Sequence, residues 1–202
     1  MESPTSKISI GQLCRQLEKN RQGYNNKYDM NTLCLTLPYS YASQLVDLNW
    51  YDISFAIDNG YFPHEVAVEH AFALMLEDEA QPQPVLDLIC LYPEEIRYPH
   101  YTQPFVSELA NAISEQEKSV AKQKLLYLVL NWYFEHREDY TDPLGVVELV
   151  YADFGYPKDV SKFVRYMPIP EPALDSTELS IARIYDKWRR FLETQKKLFA
   201  KT

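Results

Sequence analysis

His64, Glu65, Glu69 and His70 spell H-E-x-x-x-E-H, which by its letters resembles a zinc-protease helix. That chemistry needs two histidines on one helical face, four residues apart, with a glutamate as base. These histidines stand six apart, so they cannot share a metal from one helix. His70 falls instead on the apolar stripe of its segment and reads as a hydrogen-bonded core histidine. Asp153-Phe154-Gly155 matches the kinase magnesium triplet in letters alone, since no glycine loop, H-R-D or V-A-I-K accompanies it. It reads as a helix carboxyl end with an aromatic anchor and a terminal glycine.

The three cysteines, Cys14, Cys34 and Cys90, are widely spaced and form no C-x-x-C pair or disulfide framework. Cys90, inside VLDLICLY, is expected to be a small core residue. Cys14 and Cys34 have no activating histidine near them in sequence. No G-x-S-x-G is present, and the five glycines leave no phosphate-cradling loop. Carboxylates are plentiful, but none is set apart as an acid and base pair. The chain is therefore expected to be no enzyme, and to hold neither cofactor nor metal.

Charge is more informative. The net charge of −9 over 202 residues is unevenly spread. Residues 1–30 carry five bases and three acids, and residues 175–202 seven bases and four acids. Residues 31–100 carry eleven acids against the single Arg97. Phosphates would be repelled by such a surface, so nucleic acid is not an expected partner, whereas a basic protein is. The amino terminus shows no apolar core of a signal peptide, and the expected location is cytoplasmic and reducing.

The elements that would position these groups are helical. Glu117 to Glu138 is apolar or aromatic from Leu125 to Phe134 except at Asn131. An amphipathic surface helix would show polar residues every three or four positions, so a central buried helix is expected over about 117–138. Its apolar run is too short to span a bilayer, and no membrane association is expected. Asn131 should be paired within the domain, with a backbone group or a tyrosine hydroxyl.

Around it the pattern predicts a short helix over 8–19 and a polar loop over 21–31. Leu33 to Leu37 reads either as a brief extended segment or as a helix edge. Asn49 is a candidate cap for WYDISFAID, with Asp52 three residues on and Asn59-Gly60 as its end. Pro63 is expected to open the next helix, to about Asp78, with Val66, Ala67, His70, Ala71, Leu74 and Met75 on one stripe. VLDLICLY, 85–92, reads as a short buried helix stopped by Pro93. Pro93, Pro99 and Pro104 punctuate an irregular stretch, with helix resuming near Phe105. Thr141-Asp142-Pro143 opens LGVVELVYADF, and a short helix follows over 159–167.

Asp175-x-x-Glu178 has capping-box spacing and opens a basic terminal helix, 175–201. Its stripe is Leu179, Ile181, Ile184, Tyr185, Trp188, Phe191, Leu192 and Leu198, and it should dock on the body. The expected fold class is all-α: residues 1–32 an amino-terminal helix and loop, and residues 33–202 one compact domain of about seven to nine helices.

The stretch 131–168 resembles an uncharacterised bacterial family of unknown function. The residues that carry the likeness are Trp132, Asp142-Pro143-Leu144, Tyr151 to Pro157 and Phe163 to Pro168, and N-W-Y-D-I-S-F-A-I-D-N-G looks like the family's first motif block. The resemblance covers roughly residues 45–195 and implies no catalytic residue. Small acidic helical proteins of this kind are similar to bacterial immunity proteins, which neutralise a toxin by binding it.

The leading expectation is a non-enzymatic protein-binding module, in its most specific form an immunity-type inhibitor whose acidic face engages a basic toxin. The candidate face is Asp58, Glu65, Glu69, Glu77, Asp78 and Glu79, with Tyr51, Tyr61 and Phe62 as aromatic anchors. Two other readings stand beside it. One is an enzyme whose carboxylates and histidines, among His64, His100 and His136, converge from distant positions. The other is an intracellular scaffold or regulator that docks through the basic terminal helix.

Overall fold

The computed structural model describes Lys7, residues 30–168 and residues 176–200. The helix expected over 8–19, with Cys14, and the prolines after Pro168 lie outside the described residues. The chain divides into two compact units, one of Met1–Cys34 with Leu126–Phe199, the other of Leu35–Leu125 with Ala200–Thr202. Among the described residues the regular structure is helical throughout, and the fold is all-α.

In the second unit, α1 is Tyr39–Leu45 and α2 is Trp50–Asp58. The expected cap of α2 is complete. Asn49 Oδ1 accepts the Asp52 N–H at 2.9 Å, and Asp52 Oδ2 accepts the Asn49 N–H at 3.0 Å. Gly60 ends the turn after it at φ 73°, a conformation glycine adopts without a Cβ clash. The next helix, α3, begins at Val66 and runs to Glu77. Pro63 does not open it. The amides of Val66, Ala67 and Val68 bond back three residues, to Pro63, His64 and Glu65, so a tighter turn leads in. Leu33 to Leu37 is neither strand nor helix, and the Leu37 amide bonds the Tyr61 carbonyl.

The prolines punctuate less than their number suggests. Helix α4, Gln83–Ile89, starts inside the Gln-Pro repeat, with Pro84 in its first turn. Cys90 is its C-cap and is exposed, which corrects the expected core position. A single turn, α5 (Pro93–Ile96), precedes α6, Pro99–Asn111. Helix was expected to resume only at Phe105. Pro99 fits the first position, where its missing N–H costs nothing. Pro104 sits inside α6 and forgoes only the bond to the His100 carbonyl.

In this unit α2 packs on α6, α3 on α4, and α4 on α6. Trp50, Ala67, Val68, Ala71, Val85, Leu88, Val106 and Leu109 form the core between them.

The long apolar segment is shorter as a helix than its pattern suggests. Ser114 caps a separate turn, α7 (Glu115–Lys118), with its hydroxyl accepting the Glu117 amide. After Ser119 and Val120, α8 runs Ala121–Glu135, and Arg137–Asp139 is a 3-10 turn. Every residue from Leu125 to Leu130 is buried, as a central helix requires. Asn131 is half-buried and donates to Glu135 Oε1 at 2.9 Å, so its carboxylate partner lies one turn along the same helix.

In the first unit, α9 is Pro143–Asp153, opened by Asp142, whose Oδ1 accepts the Gly145 amide at 3.0 Å. A 3-10 segment, Val160–Phe163, replaces the helix expected over 159–167. The terminal helix α10 is Thr177–Phe199, with Ser176 Oγ accepting the Leu179 amide at 3.2 Å, and Asp175, the expected cap, lies outside the described residues. Its buried line is Ile184, Trp188, Leu192 and Gln195. Trp188 is fully enclosed, with Phe134 edge-on at 5.0 Å and Phe163 parallel at 6.3 Å. The helix is therefore docked, as expected. Leu179, Ile181 and Leu198 are exposed near its ends, so the covered stripe is shorter than the sequence pattern.

Candidate partner-binding surface

Charge follows the units. Residues 35–125 hold fourteen acids and four bases, a net of −10, while residues 126–199 hold twelve acids and ten bases, a net of −2. Some of the acids are structural. Asp52 is buried against Lys124, Glu95 accepts the Tyr92 amide at 2.8 Å, and Asp87 accepts from Gln83 at 2.8 Å. Others stand where helix stability does not ask for charge, although Asp78 Oδ1 accepts the Ala80 amide at 2.9 Å. Glu77, Asp78 and Glu79 crowd the carboxyl end of α3, where the helix dipole disfavours negative charge.

The expected site residues separate into three groups. Asp58 is exposed at the end of α2, with the Ser54 hydroxyl 3.5 Å from Oδ2. Glu69, Glu77, Asp78 and Glu79 are exposed on and after α3, whereas Glu65 is half-buried, 3.5 Å from His64 Nδ1. Tyr61 and Phe62 are 1% and 3% exposed and belong to the core, closed to a partner in this state. Tyr51 is half-buried, parallel to Phe55 and covered by Lys118 at 5.6 Å.

Two residues of this face do not emerge from the sequence reading. Phe72 is 49% exposed and Leu76 88% exposed, one turn apart on α3. With Glu69 they follow helical i, i+3 and i+7 spacing, so an apolar pair sits between Glu69 and the acids that end the helix. The signal was present. Both lie off the stripe of Val66, Ala67, His70 and Ala71, and the helix is apolar over most of its circumference.

Behind this face His70 is 3% exposed, with Nδ1 2.9 Å from the Tyr39 hydroxyl and the Trp50 ring edge-on at 4.7 Å. It is the hydrogen-bonded core histidine expected. Among the described residues no three His, Cys, Asp or Glu side chains are placed to hold a metal. His100 lies against Tyr98 and Tyr101, and His136 stacks on Trp132 at 4.0 Å with Nδ1 2.8 Å from the Trp132 carbonyl.

Burial, aided by the negative charges of Glu77 and Glu69, pushes the Tyr39 hydroxyl up to about 12. A raised value means the fold favours the neutral phenol. That contribution is complete below the ordinary tyrosine range and is lost as pH climbs through the raised value. Difference absorbance of wild type against Tyr39→Phe should place Tyr39 among the last tyrosines to ionise. Ionisation of Tyr39 with the exposed tyrosines would refute its coupling to the acidic helix.

The motif residues of the first unit are occupied by construction. Arg165 places Nη1 and Nη2 at 2.9 Å from the two Asp142 oxygens, and Nε at 2.8 Å from Glu148. Asp153 Oδ2 accepts both the amide and the hydroxyl of Thr32, at 2.9 and 3.0 Å. Gly155 and Tyr156 both turn through positive φ, 74° and 61°, and return the chain toward Tyr151.

A family model described as an uncharacterized protein conserved in bacteria (DUF2247) matches residues 39–196. No curated protein and no solved structure matches the chain. No helix among the described residues is long and apolar enough to cross a membrane.

Proposed function

The chain belongs to this conserved bacterial family, and on that premise we propose that it is a non-enzymatic protein-binding module whose acidic unit engages a basic partner. One observation carries the reading: exposed Phe72 and Leu76 stand on α3 between Glu69 and the Glu77-Asp78-Glu79 run. An apolar centre with a charged rim is the usual anatomy of a recognition site. The rim would draw in a basic protein at long range, and the apolar pair would hold it. A secreted or injected basic toxin, neutralised in the manner of an immunity protein, is the most specific partner this chemistry fits.

The product of the adjacent gene is the partner to titrate. Glu69→Lys/Glu77→Lys/Glu79→Lys should slow association about tenfold or more at low salt and flatten its salt dependence, with little effect on dissociation. Leu76→Ser with Phe72→Ala should speed dissociation by about tenfold, roughly 1.4 kcal/mol. Because these side chains are exposed, the melting curve should move little. Unchanged association in the triple variant together with unchanged dissociation in the apolar one would remove this surface from the reading.

A further inference from the structure

A cavity of about 660 Å³ lies within the first unit, between the Val160–Phe163 segment with its flanks and one face of α10. Its lining departs from the charge of the chain. Lys158, Lys162, Lys187 and Arg190 all contribute, and Asp159 is the only acid among the described lining residues. Asp159 is engaged by Lys162, Nζ to Oδ1 at 2.6 Å. Arg190 is held by Asp186 at 2.8 Å, from one turn back and outside the lining. Among the described lining residues, four cations against one acid give a net of +3 in a chain of −9.

The rest of the wall is mostly apolar, with Phe163 buried, Phe191 half-buried on α10 and Met167 beside them, and it includes the buried carboxamide of Gln195. The two hydroxyls present do not compete for an anion. Ser161 Oγ donates to the Lys158 carbonyl at 2.7 Å and Thr194 Oγ1 to the Arg190 carbonyl at 2.8 Å. The charged donors that would face an anion are the lysines and Arg190. Lys187, Arg190 and Thr194 recur at helical spacing, which sets the cations of α10 along one side of the opening.

We infer that this cavity binds a small organic anion: a phosphate, sulfonate or carboxylate group carried on a flat apolar body. The volume falls within the roughly 300–1,000 Å³ of small-molecule pockets, and an aromatic wall beside a few convergent charges is their usual composition. Lys162 and Arg190 each stand beside a carboxylate, yet four cations around one opening leave an excess of positive charge that an anion relieves. Compact inorganic anions satisfy the cations but leave the phenylalanine wall wet, so they should bind more weakly than an aromatic one.

Anilinonaphthalene sulfonate, titrated into the full chain by fluorescence, combines both features in one probe. One saturable site is expected, displaced competitively by inorganic pyrophosphate at higher concentration. Lys158→Glu/Lys187→Glu should weaken the probe about tenfold or more. Lys158→Glu alone, at an exposed position, should weaken it measurably with an unchanged melting curve. Lys122→Glu, in the other unit, should leave it unaltered. N-phenylnaphthylamine, the uncharged analogue, should bind at least about tenfold more weakly to wild type. The inference is overturned if the lysine variants bind the sulfonate as wild type does, if the neutral analogue binds equally well, or if no saturable site is found.

Discussion

Leu128→Asp should give no folded protein. Leu128 is 1% exposed, in the middle of six consecutive buried residues of α8. The Leu125 to Leu130 run of the helix is apolar or aromatic throughout and carries no charged side chain. An unpaired buried charge costs several kcal/mol, in addition to the roughly 2–5 kcal/mol of truncating a core leucine. The total rivals the whole stability of an ordinary domain, about 5–15 kcal/mol. Far-ultraviolet dichroism and a thermal melt of Leu128→Asp beside Leu128→Ala check this. The alanine variant should fold with a lowered midpoint and the aspartate variant should show no transition. A near wild-type melt for Leu128→Asp would mean that α8 is not the buried element described.

The second large effect lies in the other unit, at a pair separated by 72 residues. Lys124 Nζ stands 2.6 Å from Asp52 Oδ2 and 2.9 Å from the Asp47 carbonyl, with the Asp52 side chain 3% exposed. Lys124→Ala should destabilise the protein by about 3–5 kcal/mol, because it strands a buried carboxylate. Asp52→Asn/Lys124→Met should recover most of that loss, since the amide can still accept the Asn49 N–H. Burial already holds the Asp52 carboxyl above its ordinary range, against the lowering pull of Asn49 and Lys124. Without Lys124 it must rise further. A raised carboxyl stabilises the fold below its unfolded value, and that contribution disappears as pH climbs through the folded one. The deficit of Lys124→Ala should thus be widest near neutral pH and narrow on acidification. Denaturant midpoints at a series of pH values measure it, and a deficit that stayed constant or widened in acid would contradict the pairing.

These two cases also show which features were legible before any coordinates. The capping box at Asn49 and Asp52 was readable because its partners are three residues apart and both bonds are local. The bond from Asp52 to Lys124 was not, because nothing in either neighbourhood points to the other. The buried run 125–130 declared itself by lacking polar residues. Its helix ended early at the amino side because Ser114 and Glu117 cap a turn of their own. At α10 the spacing of Asp175 and Glu178 points to Asp175, which lies outside the described residues, and not to Ser176, whose hydroxyl accepts the Leu179 amide. Proline was over-read: a count of prolines does not distinguish a first-turn Pro99 from a breaker, and a helix can forgo the single bond lost at Pro104.

The candidate surfaces divide in the same way. The acids of α3 are plain from composition, whereas aromatic character and nearness to those acids do not single out an exposed anchor. Tyr61 and Phe62 follow Gly60 into the core, while Phe72 and Leu76, inside an apolar helix, remain outside it. The cationic cavity draws on two segments about thirty residues apart, each unremarkable alone.

The Arg165 guanidinium has a bearing on how the first unit comes apart. Asp142 caps the α9 amino terminus with the same carboxylate that Arg165 grips, and Glu148 extends the grip one turn further. Releasing the segment that carries Arg165 would leave two carboxylates without their cation beside the first turns of α9. Opening of that segment and fraying of the helix end should therefore be linked, and hydrogen exchange should show the two as one cooperative unit instead of a loose loop beside a stable helix.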